Sequence, residues 1–234
     1  MNARREEIAH HLEVVHERIA AACRASGRSP AEITLTVVTK FFPASDVRLL
    51  AALGVTDVGE NRHQEAQAKA AETADLGLRW HFIGGLQSNK AAAVAAYADV
   101  VESVDRVKLL SGLARGAEAR GVVLDCLVQV SLDPPEKGEG RAGAPPAEVP
   151  ALAEQIMKTE GLRLRGVMAV APLGEDPGAA FARLAETARE VQRVEPTATW
   201  VSAGMSGDLE EAIEAGATHV RIGSAVLGSR PAIK

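Results

Sequence analysis

Apolar residues recur at three- and four-residue spacing through Ile8, Leu12, Val15, Ile19 and Ala22. That spacing predicts an opening helix over residues 4–25, stopped by Gly27. Beyond it the period changes. Short runs rich in Val, Ile and Thr predict strands over 34–39, 56–59, 80–83, 100–103, 122–130, 164–170, 199–202 and 219–222. Helical patterns fall between them, over 43–54, 64–74, 89–96, 107–119, 147–159, 179–194 and 209–215. Strict alternation predicts a parallel sheet covered by helices. Eight evenly spaced units without a GxGxxG turn favour a closed (β/α)8 TIM barrel over a doubly wound sheet. The expected architecture is one α/β domain over residues 1–234 with an extra N-terminal helix.

Composition narrows the function classes. The chain is 47% hydrophobic and 24% charged, with seven aromatic residues, so Ala, Val and Leu must build its core. A net charge of −5 with no basic cluster argues against nucleic acid as a partner. The longest apolar run, Ala91–Ala98, is too short to span a bilayer, and the charged N-terminus lacks the apolar stretch of a signal peptide. The expectation is a cytoplasmic protein with no membrane role. Cys23 and Cys126, far apart and without CxxC spacing, read as reduced core residues. The segment 131–146, with four prolines, breaks the rhythm after the fifth strand and reads as a solvated loop or a lid.

Barrels place their chemistry at the C-terminal strand ends. Lys40 follows the first strand on the parity of Thr36 and Val38 and is followed by Phe41 and Phe42. Apolar surroundings would lower its pKa, as a Schiff-base lysine requires; a lysine snorkelling to solvent reads the same in isolation. Gly59-Glu60-Asn61-Arg62 ends the second strand, where Asn61 either lines a site or caps the next helix. His81 lies inside the third strand as a core histidine, and no second His or Cys stands at a metal-ligand spacing. Gly84-Gly85 suits close backbone approach to a ligand or a plain turn. The last two units carry Gly204-Met205-Ser206-Gly207-Asp208 and Arg221-Ile222-Gly223-Ser224. These paired Gly-Ser turns stand where barrels bind phosphate, and Arg221, inside a strand, requires a partner in the barrel mouth. A strand-one lysine, a strand-eight arginine and two phosphate turns together point to pyridoxal 5′-phosphate (PLP).

Val38-Thr39-Lys40, Gly59-Glu60-Asn61, the run from Trp80 to Lys90, Gly204–Asp208 and Val220–Ser224 closely resemble the pyridoxal phosphate homeostasis family, whose fold is similar to the N-terminal barrel of alanine racemase. The resemblance implies that Lys40 forms the internal aldimine and that Asn61 lies beside the cofactor ring. It further implies that Ser206 and the backbone N–H groups of Gly223 and Ser224 bind the phosphate, and that Arg221 meets the pyridine nitrogen. The implied partners are PLP and PLP-dependent apoenzymes, and the implied role is binding without a dedicated catalytic activity. A monomer is the expected state because the chain carries no extra interface domain. Two departures stand out. Gly85 replaces a His or Gln of many relatives, and Arg141-Ala142-Gly143 replaces a Lys-x-Gly. Arginine cannot form an imine, which leaves Lys137 as a displaced substitute for a second PLP site.

Two alternatives stay open on the residues. One is a PLP-dependent racemase-like enzyme. Alanine racemase also carries an arginine at the ring nitrogen, so the separation rests on its second, proton-donating domain, for which the ten residues after Ser224 leave no room. The lone tyrosine, Tyr97, falls in a predicted helix as a packing residue. The other is a cofactor-free aldolase using Lys40 with Glu60 or His81 as acid or base. Glu60 reads better as a structural hydrogen-bonding residue.

Overall fold

The computed structural model describes residues 2–133 and 142–229; Lys137 and Arg141 lie outside the described residues. Helix α1 (Asn2–Ala25) comes first, and eight strands follow. They are β1 (Thr34–Val38), β2 (Asp57–Glu60), β3 (Arg79–Phe82), β4 (Val100–Val104), β5 (Leu124–Gln129), β6 (Leu162–Met168), β7 (Trp200–Ser202) and β8 (His219–Ile222). Between them run α2 (Ala44–Ala52), α3 (His63–Glu72), α4 (Ala91–Ala95), α5 (Leu110–Arg120), α6 (Val149–Met157), α7 (Pro177–Val194) and α8 (Leu209–Glu214), and α9 (Ser224–Leu227) follows β8. All strands pair in parallel in sequence order, and β1 pairs with β8 through Thr36 and Arg221, so the barrel is closed. The alternation expected from the sequence is the alternation observed.

The core lies mainly between strands and helices. One apolar cluster joins α4–α7 to β4–β6, and another joins α1, α2, α8 and α9 to β1 and β8. In the second, Ile8, Leu12, Val15, Ile19 and Ala22 form the buried stripe of α1, as their spacing predicted. Three side chains of α1 also reach beyond its apolar face. Arg4 donates to the Leu227 carbonyl, His11 Nδ1 to that of Val226, and Arg18 to that of Ser206, each at 3.0 Å. Cys23 and Cys126 are both free and buried.

Element edges differ from expectation where local chemistry competes with pattern. The fifth strand begins at Leu124 rather than Val122. Gly121 adopts the left-handed conformation, φ +69°, and Val122 N–H then bonds back to Ala117, spending these residues on closing α5. The sixth starts earlier than expected, at Leu162, because Arg163 breaks the apolar run yet pairs with Asp125 at 2.5 Å. Tyr97 lies beyond the end of α4 instead of within a helix, stacked on His63. Helix α9, only four residues long, has no periodic signal to predict it. The returning end of the segment after β5 is tied down, with Ala144 bridged to Val130.

Candidate functional site

The C-terminal strand ends enclose a cleft of about 410 Å³, and Lys40, Asn61, Ser206, Arg221, Gly223 and Ser224 all line it. The first two come from the ends of β1 and β2, the third from the loop after β7 and the rest from the end of β8. A larger recess, of about 860 Å³, lies at the opposite strand ends and is lined by Arg79, Arg120, Arg163, Asp99 and Asp125. Each of those arginines is paired with one of the two aspartates, so the recess offers no uncommitted cation, and the chemistry points to the smaller cleft.

Arg221 meets the partner requirement from inside the barrel. Only 4% exposed, it donates from Nη1 to Ser202 Oγ at 2.7 Å and from Nη2 to the Ala169 carbonyl at 2.8 Å. Ser202 in turn donates to Glu102 Oε2 at 2.6 Å. Glu102 Oε1 takes His81 Nδ1 at 2.7 Å, and His81 Nε2 reaches Asp57 Oδ1 at 2.9 Å. Both imidazole nitrogens therefore face carboxylates, which suits the doubly protonated ring. Burial opposes that charge, but the bonds to Asp57 and Glu102 win and raise His81 above its ordinary value. Burial would likewise raise Glu102, yet His81, Arg221 and Ser202 hold it down at about 2. Burial lowers Arg221 from the usual arginine range, with Glu102 opposing, and a guanidinium starts so high that it stays cationic at neutral pH.

The Lys40 side is built on backbone. Phe41, the residue after Lys40, has φ +72°, a left-handed conformation uncommon for a residue with a side chain. The turn is gripped by Lys69, a buried lysine of α3. Its Nζ donates to the Thr39 carbonyl at 2.7 Å, Glu60 Oε1 at 2.6 Å and Glu65 Oε1 at 2.7 Å. Glu65 Oε1 also accepts Phe41 N–H at 2.6 Å, and Thr39 Oγ1 donates to Glu60 at 2.8 Å. Burial raises the Glu60 carboxyl above the usual range despite Lys69. Glu60 is thus a hydrogen-bonding residue of this cluster; neither it nor His81 lines the cleft.

The remaining cleft walls suit a phosphorylated aromatic aldehyde. Ser206 and Ser224 bring their hydroxyls within 3.5 Å of each other. A Cβ at Gly223 would stand 3.3 Å from the Val38 carbonyl, so a side chain there would crowd the turn. Asn61 does not cap α3, whose N-cap is Arg62; its Oδ1 is buried with no protein partner, as is Gln129 Oε1 at the end of β5. Two orphaned polar atoms in one cleft call for a polar ligand. Gln129, Glu102, Ser202 and Lys69 were not singled out from sequence. An acid amid Val100, Val101 and Val104 was a readable signal for Glu102, since a charge inside an apolar strand needs a partner.

Comparison with known proteins covers nearly the whole chain. The family described as alanine racemase, N-terminal domain, matches residues 9–231. The pyridoxal phosphate homeostasis protein of Pseudomonas aeruginosa is 44% identical over 95% of this chain and 96% of its own. That of Mycobacterium bovis is 42% identical over 97% and 94%. PipY of Synechococcus elongatus, solved with PLP bound, is 37% identical, with a TM-score of 0.78 over 92% of this chain and all of its own. Alanine racemase from Corynebacterium glutamicum, 15% identical with a TM-score of 0.68, shares the barrel fold over 98% of this chain and 63% of its own.

Proposed function

The chain belongs to the alanine racemase N-terminal domain family and, within it, to the pyridoxal phosphate homeostasis proteins, and from that premise we propose that Lys40 holds PLP covalently and reversibly in the cleft. The protein binds PLP and serves its homeostasis. The observation that carries the reading is the convergence of an amine, a hydroxyl pair, a buried guanidinium and an orphaned Asn61 oxygen on one cleft. When bound, the cofactor supplies an electrophilic aldehyde carbon that a primary amine can hold. Lys40 Nζ is that amine. Ser206 and Ser224, with the backbone N–H groups of Gly223 and Ser224, hold the phosphate, and Asn61 lies beside the ring. Arg221 would donate to the ring nitrogen and, having no acceptor of its own, would leave that nitrogen unprotonated.

Holding, rather than turnover, is the role this cleft supports. Among the described residues that line it, the titratable side chains are Lys40 and Arg221. No carboxylate, imidazole or phenol stands among them to move a proton, and Tyr97 lies elsewhere, half-buried against His63. We read the protein as a monomeric, single-domain cytoplasmic barrel that keeps PLP for PLP-dependent apoenzymes. Two buried free thiols fit a reducing compartment, and no helix among the described residues is long and apolar enough to cross a membrane.

The test is an absorbance spectrum of purified protein with PLP, before and after borohydride, beside Lys40→Ala. A visible band that borohydride abolishes and Lys40→Ala never forms is expected, with no racemisation of alanine. A band that survives Lys40→Ala would move the attachment elsewhere. A protein that stays colourless with PLP would remove the cofactor from this cleft.

A further inference from the structure

We propose that Lys69, acting with Glu65, is the positioning residue that aims Lys40 into the cleft, by fixing both peptide groups that flank the Lys40 Cα. The inference rests on Lys40 being the residue that holds PLP. The Thr39 carbonyl belongs to the peptide group on one side of Lys40, and it accepts from Lys69 Nζ. The Phe41 N–H belongs to the peptide group on the other side, and it donates to Glu65 Oε1, which itself accepts from Lys69. Each peptide group is planar, so holding the two planes sets φ and ψ of Lys40, and with them the direction of its Cα–Cβ bond. Together with the turn's own bond from Phe42 N–H to the Thr39 carbonyl at 3.0 Å, one ammonium thus braces the root of the side chain that must reach the cofactor.

Three observations separate this role from plain core packing. First, the three N–H groups of Lys69 are all spent, on Thr39, Glu60 and Glu65, so the ammonium is saturated and fixed in direction. A lysine needed only to neutralise Glu60 would use one. Second, the turn's own bond from Phe42 N–H to the Thr39 carbonyl has to hold Phe41 at φ +72°. That conformation costs free energy for a residue with a side chain, so the turn gains from an external brace. Third, a buried ion pair is a weak source of stability compared with apolar packing but a plausible source of conformational uniqueness. The cluster is placed where uniqueness matters, one residue from Lys40.

The experiment compares two ligands on the intact protein. PLP reports attachment to Lys40 through its visible band. Pyridoxine 5′-phosphate, an alcohol where PLP is an aldehyde, reports the phosphate and ring contacts alone. In Lys69→Met, band formation with PLP is expected to slow by on the order of tenfold to a hundredfold, the scale set by small misplacements of reacting groups. Affinity for pyridoxine 5′-phosphate should change little. Glu65→Ala should behave like Lys69→Met, and Glu65→Gln, whose amide oxygen still accepts from Phe41, should recover most of the rate. Unaltered band formation in both Lys69→Met and Glu65→Ala, or equal losses for both ligands, would overturn the proposal. If Lys69→Met does not fold, the pair Glu65→Ala and Glu65→Gln decides, through recovery or its absence. Lys40→Ala in the same series isolates the underlying reading: a band that persists there removes Lys40, not the bracing by Lys69.

Discussion

The two walls of the barrel mouth that carry Lys40 and Arg221 are braced by buried ionic clusters of opposite design. Beneath Lys40 the bracing group is a cation, Lys69, reaching from a helix onto the backbone of a strand end. Beneath Arg221 the bracing group is an anion, Glu102, inside the barrel, reached through a hydroxyl and backed by an imidazole. The first fixes a turn. The second fixes a side chain and balances its charge. They also differ in what is left when the bracing group is removed. Glu60, stranded without Lys69, can take up a proton and become neutral. Arg221, stranded without Glu102, cannot discharge at any ordinary pH.

That difference sets the size of the expected effects. Glu102→Leu should cost about 3–5 kcal/mol, the range for a buried charge robbed of its partner, read from urea unfolding. A loss under about 1 kcal/mol would mean that water reaches Arg221 and the interior chain from Arg221 through Ser202, Glu102 and His81 to Asp57 is not sealed. Lys69→Met should cost less, roughly 1–3 kcal/mol, and its deficit should be pH-dependent. In that variant the folded Glu60 pKa lies further above its unfolded value, so the folded chain holds a proton the unfolded chain lacks. Stability relative to the parent therefore recovers as pH falls and worsens as pH rises through the raised pKa. A deficit that stays flat with pH would erase the contrast.

The smallest effect is spectroscopic and sharpens the Arg221 side. His81 and His219 have ring centres 6.3 Å apart, yet their environments push them in opposite directions. Burial lowers His219 to about 4 despite the pull of Glu102, whereas His81 is raised by its two carboxylates. Imidazole NMR should show His81 charged above pH 6.5 and His219 neutral down to about 4. The sign for stability follows. Between about 4 and 6.5 the unfolded chain protonates His219 and the folded chain does not, so that contribution falls as pH falls. The His81 contribution is complete below 6.5 and is lost as pH rises through its raised folded value. Two histidines titrating together would overturn the pairing of His81 with Asp57 and Glu102.

These clusters also mark how far the sequence could be read. Strand order and the apolar face of α1 were legible because each is local, a period or a parity. Parity and turn composition marked Lys40, Ser206, Arg221, Gly223 and Ser224 as candidates. Asn61 stood open between lining a site and capping a helix until the family resemblance placed it. Lys69 was not legible. Within His63–Glu72, a helix of mostly polar residues, a Glu65–Lys69 pair at i,i+4 looks like a solvated surface pair. Only the close approach of β1 and β2 to that face buries it. Glu60 at the end of a buried strand was the available hint, since its charge required a cation from somewhere. The orphaned acceptor on Gln129 was invisible for the same reason, as its amide N–H is committed to the Ala142 carbonyl, distant in sequence.

The ties from α1 to Ser206, Val226 and Leu227 have a bearing on how the molecule is made. The helix is synthesised well before the turns it braces, and β1 must wait for β8 before the ring of strands can close. Contacts this distant in sequence slow folding. Until residues 206–224 have emerged, the cleft lacks Ser206, Arg221, Gly223 and Ser224. If these residues hold PLP as proposed, a nascent barrel gains that ability late in synthesis, and a chain released before residue 206 would lack it.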